Sequence, residues 1–152
     1  MMRDMVGRSS VQEVVLTAAF FILLTAAAYR DFKERKIPDR LVAGILIAAA
    51  AGLFLGQEPD IASRALGAFA ASVPMLLAAL VRPGAFGGGD IKLMAACGLF
   101  FGAGGIFLSF FYSLLLAAAY GICQAVYKKE SLRNEIAFGP FLAMGMLLHF
   151  IV

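Results

Sequence analysis

The chain has 152 residues, of which 62% are hydrophobic and 15% charged. A water-soluble domain of this length cannot bury so much apolar surface, so the composition excludes an ordinary soluble enzyme. A net charge of +3 gives no reason to expect a nucleic-acid partner. Length and composition instead predict a single domain, residues 1–152, that has the lipid bilayer as its main solvent.

Five uncharged apolar runs follow one another along the chain, namely residues 14–29, 41–57, 65–81, 93–127 and 136–152. Four of them lie near the lower end of the ~17 to 25 residues expected for a spanning helix. The fourth run is long enough for two helices and contains a glycine-rich break at residues 101–105. The sequence therefore predicts an all-α, polytopic membrane helical bundle with about six transmembrane helices.

The basic residues orient this bundle. If the first span runs from outside to inside, only Arg3, Arg8 and Arg64 remain on the outer side, as the positive-inside rule requires. A single span at residues 93–127 would instead place the basic loop near residue 130 outside. We therefore expect a multi-pass protein of the cytoplasmic (inner) membrane.

The first run also has the pattern of a secretory signal, because two arginines precede it and residues 26–28 are small. A strongly basic loop follows it at once, at residues 30–40, and such a loop retains an uncleaved span. We therefore treat this run as a transmembrane helix.

Two acidic residues, Asp31 and Asp90, stand at the predicted cytoplasmic ends of membrane segments. An ionisable group at membrane depth is a functional candidate, because its burial costs free energy. Each also has a structural interpretation: Asp31 as a surface partner of Arg35, and Asp90 as a helix cap after a glycine turn. Their common location at the inner end nevertheless allows the two carboxyl groups to meet in one recess.

A pair of neighbouring aspartates has the chemistry of a hydrolase. Like charges disfavour double ionisation, so such a pair shares one proton near neutral pH. The ionised member takes a proton from water, and the protonated member donates to the scissile carbonyl and stabilises the oxyanion. The glycines before Asp90 lack side-chain bulk, and we predict that an extended substrate backbone contacts Gly87, Gly88 and Gly89.

The other side chains do not indicate a metal or a cofactor. Cys97, Cys123 and the one histidine, His149, all lie in apolar runs and form no motif with ligand spacing. We expect two reduced thiols, no metal and no cofactor.

Three short motifs occur in the order found in one known family. Residues 87–90 resemble the Gly-x-Gly-Asp motif of membrane aspartyl proteases, and residues 31–39 resemble the first catalytic block of prepilin peptidases. Asp39 replaces the usual Asn in that block, and residues 138–140 are similar to the Phe-Gly-Pro signature of the last span. The sequence therefore resembles the prepilin peptidases, the type IV leader peptidase family.

This resemblance implies an aspartyl endopeptidase with Asp31 and Asp90 as its catalytic pair on the cytoplasmic side. Its partner would be a pilin or pilin-like precursor, from which it removes a short basic leader. Large bacterial members also methylate the new amino terminus through an additional region with paired cysteine motifs. Few residues precede the first run here, so we expect cleavage without methylation.

Two other functions stay open from the residues alone. A transporter or assembly subunit also uses intramembrane aspartates, although the internal repeats typical of transporters are not evident. A presenilin-like protease that cuts within transmembrane helices shares Gly-x-Gly-Asp, but the Pro-Ala-Leu motif is missing and Arg30 precedes Asp31 where those proteases have Tyr. The sequence does not indicate the oligomeric state.

Overall fold

A computed structural model describes residues 2–56, 59–84, 86–128 and 137–151. Their helices are α1 (Met2–Glu34), α2 (Asp39–Phe54), α3 (Ile61–Ala70), α4 (Ser72–Val81), α5 (Gly88–Lys128) and α6 (Gly139–Ile151). No strand occurs in these four ranges, so the predicted all-α class is confirmed. The basic loop near residue 130, which was used to orient the bundle, lies outside the described residues.

Within the described ranges, three helical segments are long and apolar enough to cross a membrane: Val11–Glu34, Ile61–Val81 and Gly88–Gln124. Helix α6 is a shorter apolar helix. Large apolar side chains such as those of Ile22 and Leu80 are exposed, as expected for helices that contact lipid. A membrane helical bundle is therefore confirmed, whereas the count of six spans stays a prediction.

Helix α5 is interrupted at Gly102, within the break predicted for residues 101–105. The Gly102 backbone has φ 72° and ψ 179°, a conformation that glycine adopts without steric cost. Beyond the break, Gly105 lies beside His149 near the end of α6, and Tyr120 packs on Phe141 near its start. This part of α5 therefore runs antiparallel to α6.

Side chains of α3 pair with backbone groups next to this break. The amide of Ala103 donates to Ser63 Oγ at 3.2 Å. The buried Arg64 guanidinium donates to three backbone carbonyls, those of Pro59, Ala49 and Leu99, at 2.8, 3.2 and 2.9 Å. We call this region, made of Ser63, Arg64 and the backbone around Gly102, the Arg64 end of the bundle.

The third apolar run is kinked, a feature that the predicted single span at 65–81 does not include. Helices α3 and α4 are separated at Ala71, where φ is −105° and ψ is −35°. Pro74 lies in the first turn of α4. Since proline has no N–H and its ring crowds the carbonyl four residues earlier, Pro74 accounts for the interruption.

Small residues allow α5 to pack closely on its neighbours. Gly67 of α3 and Gly98 of α5 are in direct backbone contact, and a Cβ on either would overlap the other helix. Phe20 of α1 stacks on Phe100 of α5 with ring centroids 4.2 Å apart. The helix that begins just before Asp90 is therefore packed against both α3 and α1.

Candidate active site

Asp31 lies in the last turn of α1 and is only 7% exposed. The helix ends at Glu34, because Arg35 adopts a left-handed conformation with φ 54° while its amide still donates to Asp31 O at 2.9 Å. The following chain then turns toward α2. Asp31 is therefore a buried residue and does not lie on the surface, as its alternative interpretation required.

The carboxylate of Asp31 is held by the beginning of α6. Gly139 N donates to Asp31 Oδ2 at 2.8 Å, in a hydrogen bond that joins residues far apart in the sequence. The last turn of α1 and the first turn of α6 are thereby brought together.

Asp90 lies in the first turn of α5 and is 6% exposed. Its carboxylate accepts a hydrogen bond from the backbone of Gly87, as acidic residues at this position of a helix often do. The other oxygen, Oδ1, is buried and has no hydrogen-bond partner in the described part of the chain. The helix-cap interpretation therefore accounts for one oxygen of Asp90 and leaves the other unexplained.

The structure brings Asp31 and Asp90 into one cleft, close enough for their charges to interact. The cleft has a volume of about 330 Å³. Besides the two aspartates, its walls are formed by residues 35–37, Asp39, residues 87–89 and Lys92. We call this region the carboxylate end of the bundle.

The three glycines before Asp90 have different surroundings. A Cβ on Gly87 would lie 3.1 Å from Asp90 Oδ2, and a Cβ on Gly89 would lie 3.1 Å from Ile37 Cβ. A Cβ on Gly88 would meet nothing within 4 Å. Gly87 and Gly89 therefore lie close to neighbouring side chains, and Gly88 is the glycine of the three with open space beside it.

An exposed ion pair joins two helices at the rim of the cleft. Lys92 Nζ of α5 lies 3.0 Å from Asp39 Oδ1 of α2. Within the described ranges, no group of three or more His, Cys, Asp or Glu is close enough together to hold a metal ion. The groups that line the cleft are carboxyl groups, backbone amides and a few cations.

Two sets of contacts at the ends of the bundle were not predicted from the sequence, those of Gly139 and those of Arg64. Gly139 was noted only as part of the 138–140 motif, and its hydrogen bond to Asp31 depends on a contact between helices that no local pattern encodes. Arg64 was used only to orient the bundle. The feature that could have drawn attention to Arg64 is its position within a helix on the predicted outer side, where positively charged residues are otherwise scarce.

The chain matches one family model and several known proteins. The model of the type IV leader peptidase family matches residues 18–122, which include both aspartates of the cleft. The prepilin leader peptidase/N-methyltransferase of Bacillus subtilis is 30% identical over 139 residues, which are 91% of this chain and 56% of that protein. Proteins of the same name from Xanthomonas campestris and Aeromonas salmonicida are 29% and 27% identical, over 80% and 81% of this chain and 44% of each relative.

The chain spans about half the length of the curated relatives it matches. No solved structure matches it significantly. A helical membrane protein with a carboxylate-lined cleft is the class that the fold and the site define. Within that class, the chain belongs to the type IV leader peptidase family.

Proposed function

We propose that this protein is a membrane aspartyl endopeptidase that removes the basic leader of type IV pilin-like precursors at the cytoplasmic membrane face. The observation that carries the proposal is the meeting of two buried carboxyl groups, from Asp31 and Asp90, in one cleft. Membership of a leader peptidase family supports the reaction class, and the names of the relatives support the substrate class.

The two carboxyl groups together hold one proton in the proposed mechanism. The ionised carboxylate takes a proton from a water molecule, whose oxygen attacks the scissile carbonyl carbon. The protonated partner donates a hydrogen bond to the carbonyl oxygen as negative charge develops there. Proton transfer to the leaving nitrogen then breaks the C–N bond, so one water and one peptide give a carboxylic acid and an amine.

The unpartnered Asp90 Oδ1 supports this use of the cleft. A buried carboxylate oxygen without a hydrogen bond destabilises the folded state, so its presence is better explained by chemistry than by folding. In the proposed complex, this oxygen exchanges a proton or hydrogen bond with water or with the peptide. Gly88 provides the open stretch of wall along which the extended leader backbone lies.

The substrate reaches the cleft by lateral diffusion. A pilin-like precursor carries a hydrophobic helix next to its leader, so both proteins move in the same bilayer and the leader lies at the inner interface. The basic residues within 30–40 support an orientation in which the carboxylate end faces the cytoplasm, by the positive-inside rule. We propose this orientation together with the activity.

Of the two activities in the relatives' names, we propose the leader peptidase activity for this chain. The two aspartates account for hydrolysis, and they have no part in methyl transfer. The absence of methylation stays a prediction, which the mass of the new amino terminus tests when the same assay also contains a methyl donor.

The test is cleavage by the purified protein in liposomes. One substrate is a type IV pilin-like precursor, and the other is a membrane helix without a leader. We expect a single cut before the hydrophobic segment of the precursor and no cut in the helix. Cleavage within the helix would contradict the proposal and favour a protease that acts inside the bilayer, and an uncut precursor would contradict peptidase activity on leaders.

A further inference from the structure

The first turn of α6 presents a backbone donor to Asp31. The carbonyl of Phe138 accepts from the amides of Phe141 and Leu142 at 3.0 and 3.1 Å, which begins the helical hydrogen bonding. Pro140 has no N–H. The amide of Gly139 is therefore the donor of this turn that remains for another segment, and it donates to Asp31 Oδ2 at 2.8 Å.

Position 139 requires glycine for a reason that involves the carboxyl group itself. A Cβ at Gly139 would lie 2.8 Å from both the Cβ and the Oδ2 of Asp31, and 3.0 Å from its Cγ. Contacts this short force one partner to move. Any larger residue at 139 therefore displaces the Asp31 carboxyl group or pushes the start of α6 away from it.

The same turn also contacts the segment that carries Asp90. The ring of Phe138 packs on the ring of Phe86 with centroids 5.3 Å apart. Phe86 directly precedes Gly87, whose backbone hydrogen-bonds the Asp90 carboxylate. One turn of α6 is thus connected to both aspartates, to Asp31 by a hydrogen bond and to Asp90 through two aromatic rings and one glycine.

We propose that residues 138–140 are a positioning element that fixes the separation of the Asp31 and Asp90 carboxyl groups. Gly139 sets the place of Asp31, and Phe138 sets the place of the segment before Asp90. The proposal rests on the proposed peptidase function and adds a third segment to the site. These residues orient the carboxyl groups and take no part in bond making.

The test compares three glycine variants of the full chain in the liposome cleavage assay. Gly139→Ala is expected to lower kcat by about 100-fold, because a displacement of about 1 Å has an effect of this size on aligned reacting groups. KM is expected to change less than about threefold, because the open wall at Gly88 is unaffected.

Two glycines serve as matched controls. Gly104→Ala adds a methyl group that meets nothing within 4 Å, so stability and kcat should both be retained. In Gly145→Ala, at another position of α6, the added methyl group overlaps Ser109 and Ser113 of α5, so this variant should have a lower melting temperature while its folded fraction keeps its kcat. A role of Gly139 in packing alone would make Gly139→Ala behave like Gly145→Ala, and that result would overturn the proposal.

A milder variant decides the question if Gly139→Ala yields no folded protein. Phe138→Leu removes the ring contact with Phe86 and is expected to lower kcat about threefold to tenfold at similar KM. Phe141→Leu, which removes a ring contact with Tyr120 on the same helix, should leave kcat unchanged. Equal kcat values for the two leucine variants would overturn the positioning role.

Different results would overturn the positioning role of residues 138–140 and the proposed peptidase mechanism. Full activity of Gly139→Ala, with Asp31→Asn and Asp90→Asn both inactive, would overturn only the positioning element. Full activity of either asparagine variant would overturn the aspartyl mechanism itself.

Discussion

The two ends of this helical bundle each contain buried charge, and they differ in how that charge is used. At the Arg64 end, one guanidinium that is 4% exposed donates to three backbone carbonyls, and Ser63 pairs with an amide beside the break. At the carboxylate end, two acidic groups lie near each other, and one oxygen of Asp90 has no partner among the described residues.

The difference separates a buried charge with a structural role from a pair of buried carboxyl groups for which we propose a catalytic role. Burial of a charged group is costly at either end, but the hydrogen bonds of Arg64 offset that cost and also satisfy backbone groups near a helix break. Two neighbouring carboxylates instead repel each other when both are ionised. Burial alone does not indicate function, and the Asp90 oxygen without a partner among the described residues is the additional feature on which the proposed function depends.

The largest expected effect concerns the carboxylate end. Asp31→Asn and Asp90→Asn should each lower the rate of precursor cleavage by about 1000-fold or more, because either change removes a group that transfers a proton. Asp60→Asn is the matched control, since asparagine can still cap α3 in place of the Asp60 side chain that accepts from Ser63 N. A variant of Asp31 or Asp90 that cleaves as fast as the Asp60 control would contradict the catalytic role proposed for the carboxylate end.

The next effect concerns stability at the Arg64 end. Arg64→Met should lower the free energy of unfolding in detergent by about 3 kcal/mol, because buried carbonyls lose their donor. Cleavage per folded molecule should remain within about twofold of the wild type. Arg82→Met, at an exposed arginine, should change the stability by less than about 0.5 kcal/mol. An Arg64 variant as stable as the Arg82 variant would contradict the structural role.

A smaller loss of stability is expected at Ser63. Ser63→Ala removes the acceptor of the Ala103 amide next to Gly102 and should destabilise the fold by about 1 kcal/mol. The double variant with Arg64→Met tests whether the two side chains act on the same break, since neighbouring contacts are not additive. Strictly additive losses would show that Ser63 and Arg64 stabilise the break independently.

The smallest effect is expected for the ion pair at the rim of the cleft. Both side chains of the Lys92 and Asp39 pair are mostly exposed, so Lys92→Met should change stability by less than about 0.5 kcal/mol. Thermal unfolding at low and high salt measures this difference. A loss as large as that of Ser63→Ala would show that the pair is part of the structural framework.

Much of the fold could be predicted because the bilayer imposes a simple pattern on the sequence. The lengths of the apolar runs predict the helices, because backbone groups in lipid must be hydrogen-bonded within the protein. The glycine cluster predicts the break near Gly102. The kink at Ala71 follows from Pro74, a local signal that run length alone does not include. The observed bounds of α1 differ from the predicted run at 14–29, because the helix extends beyond this run in both directions.

The candidate site was only partly predictable. Asp31 and Asp90 could be found because a charge at the end of an apolar run is costly and therefore informative. The roles of Gly139 and Arg64 could not be found, since each depends on contacts between helices that are distant in sequence. The three glycines show the same limit, because their neighbours Asp90 and Ile37 appear only in three dimensions.

The closeness of Asp31 and Asp90 can be measured by cross-linking. Both are replaced by cysteine in a chain that also carries Cys97→Ser and Cys123→Ser, with a protease site inserted between residues 56 and 59. A thiol cross-linker that spans about 5 Å, the range over which carboxylates interact strongly, should hold the two fragments together after proteolysis. The same chain with cysteines at Asp31 and Asp60 should separate. Fragments that separate for both pairs would show that the two carboxyl groups do not share a cleft.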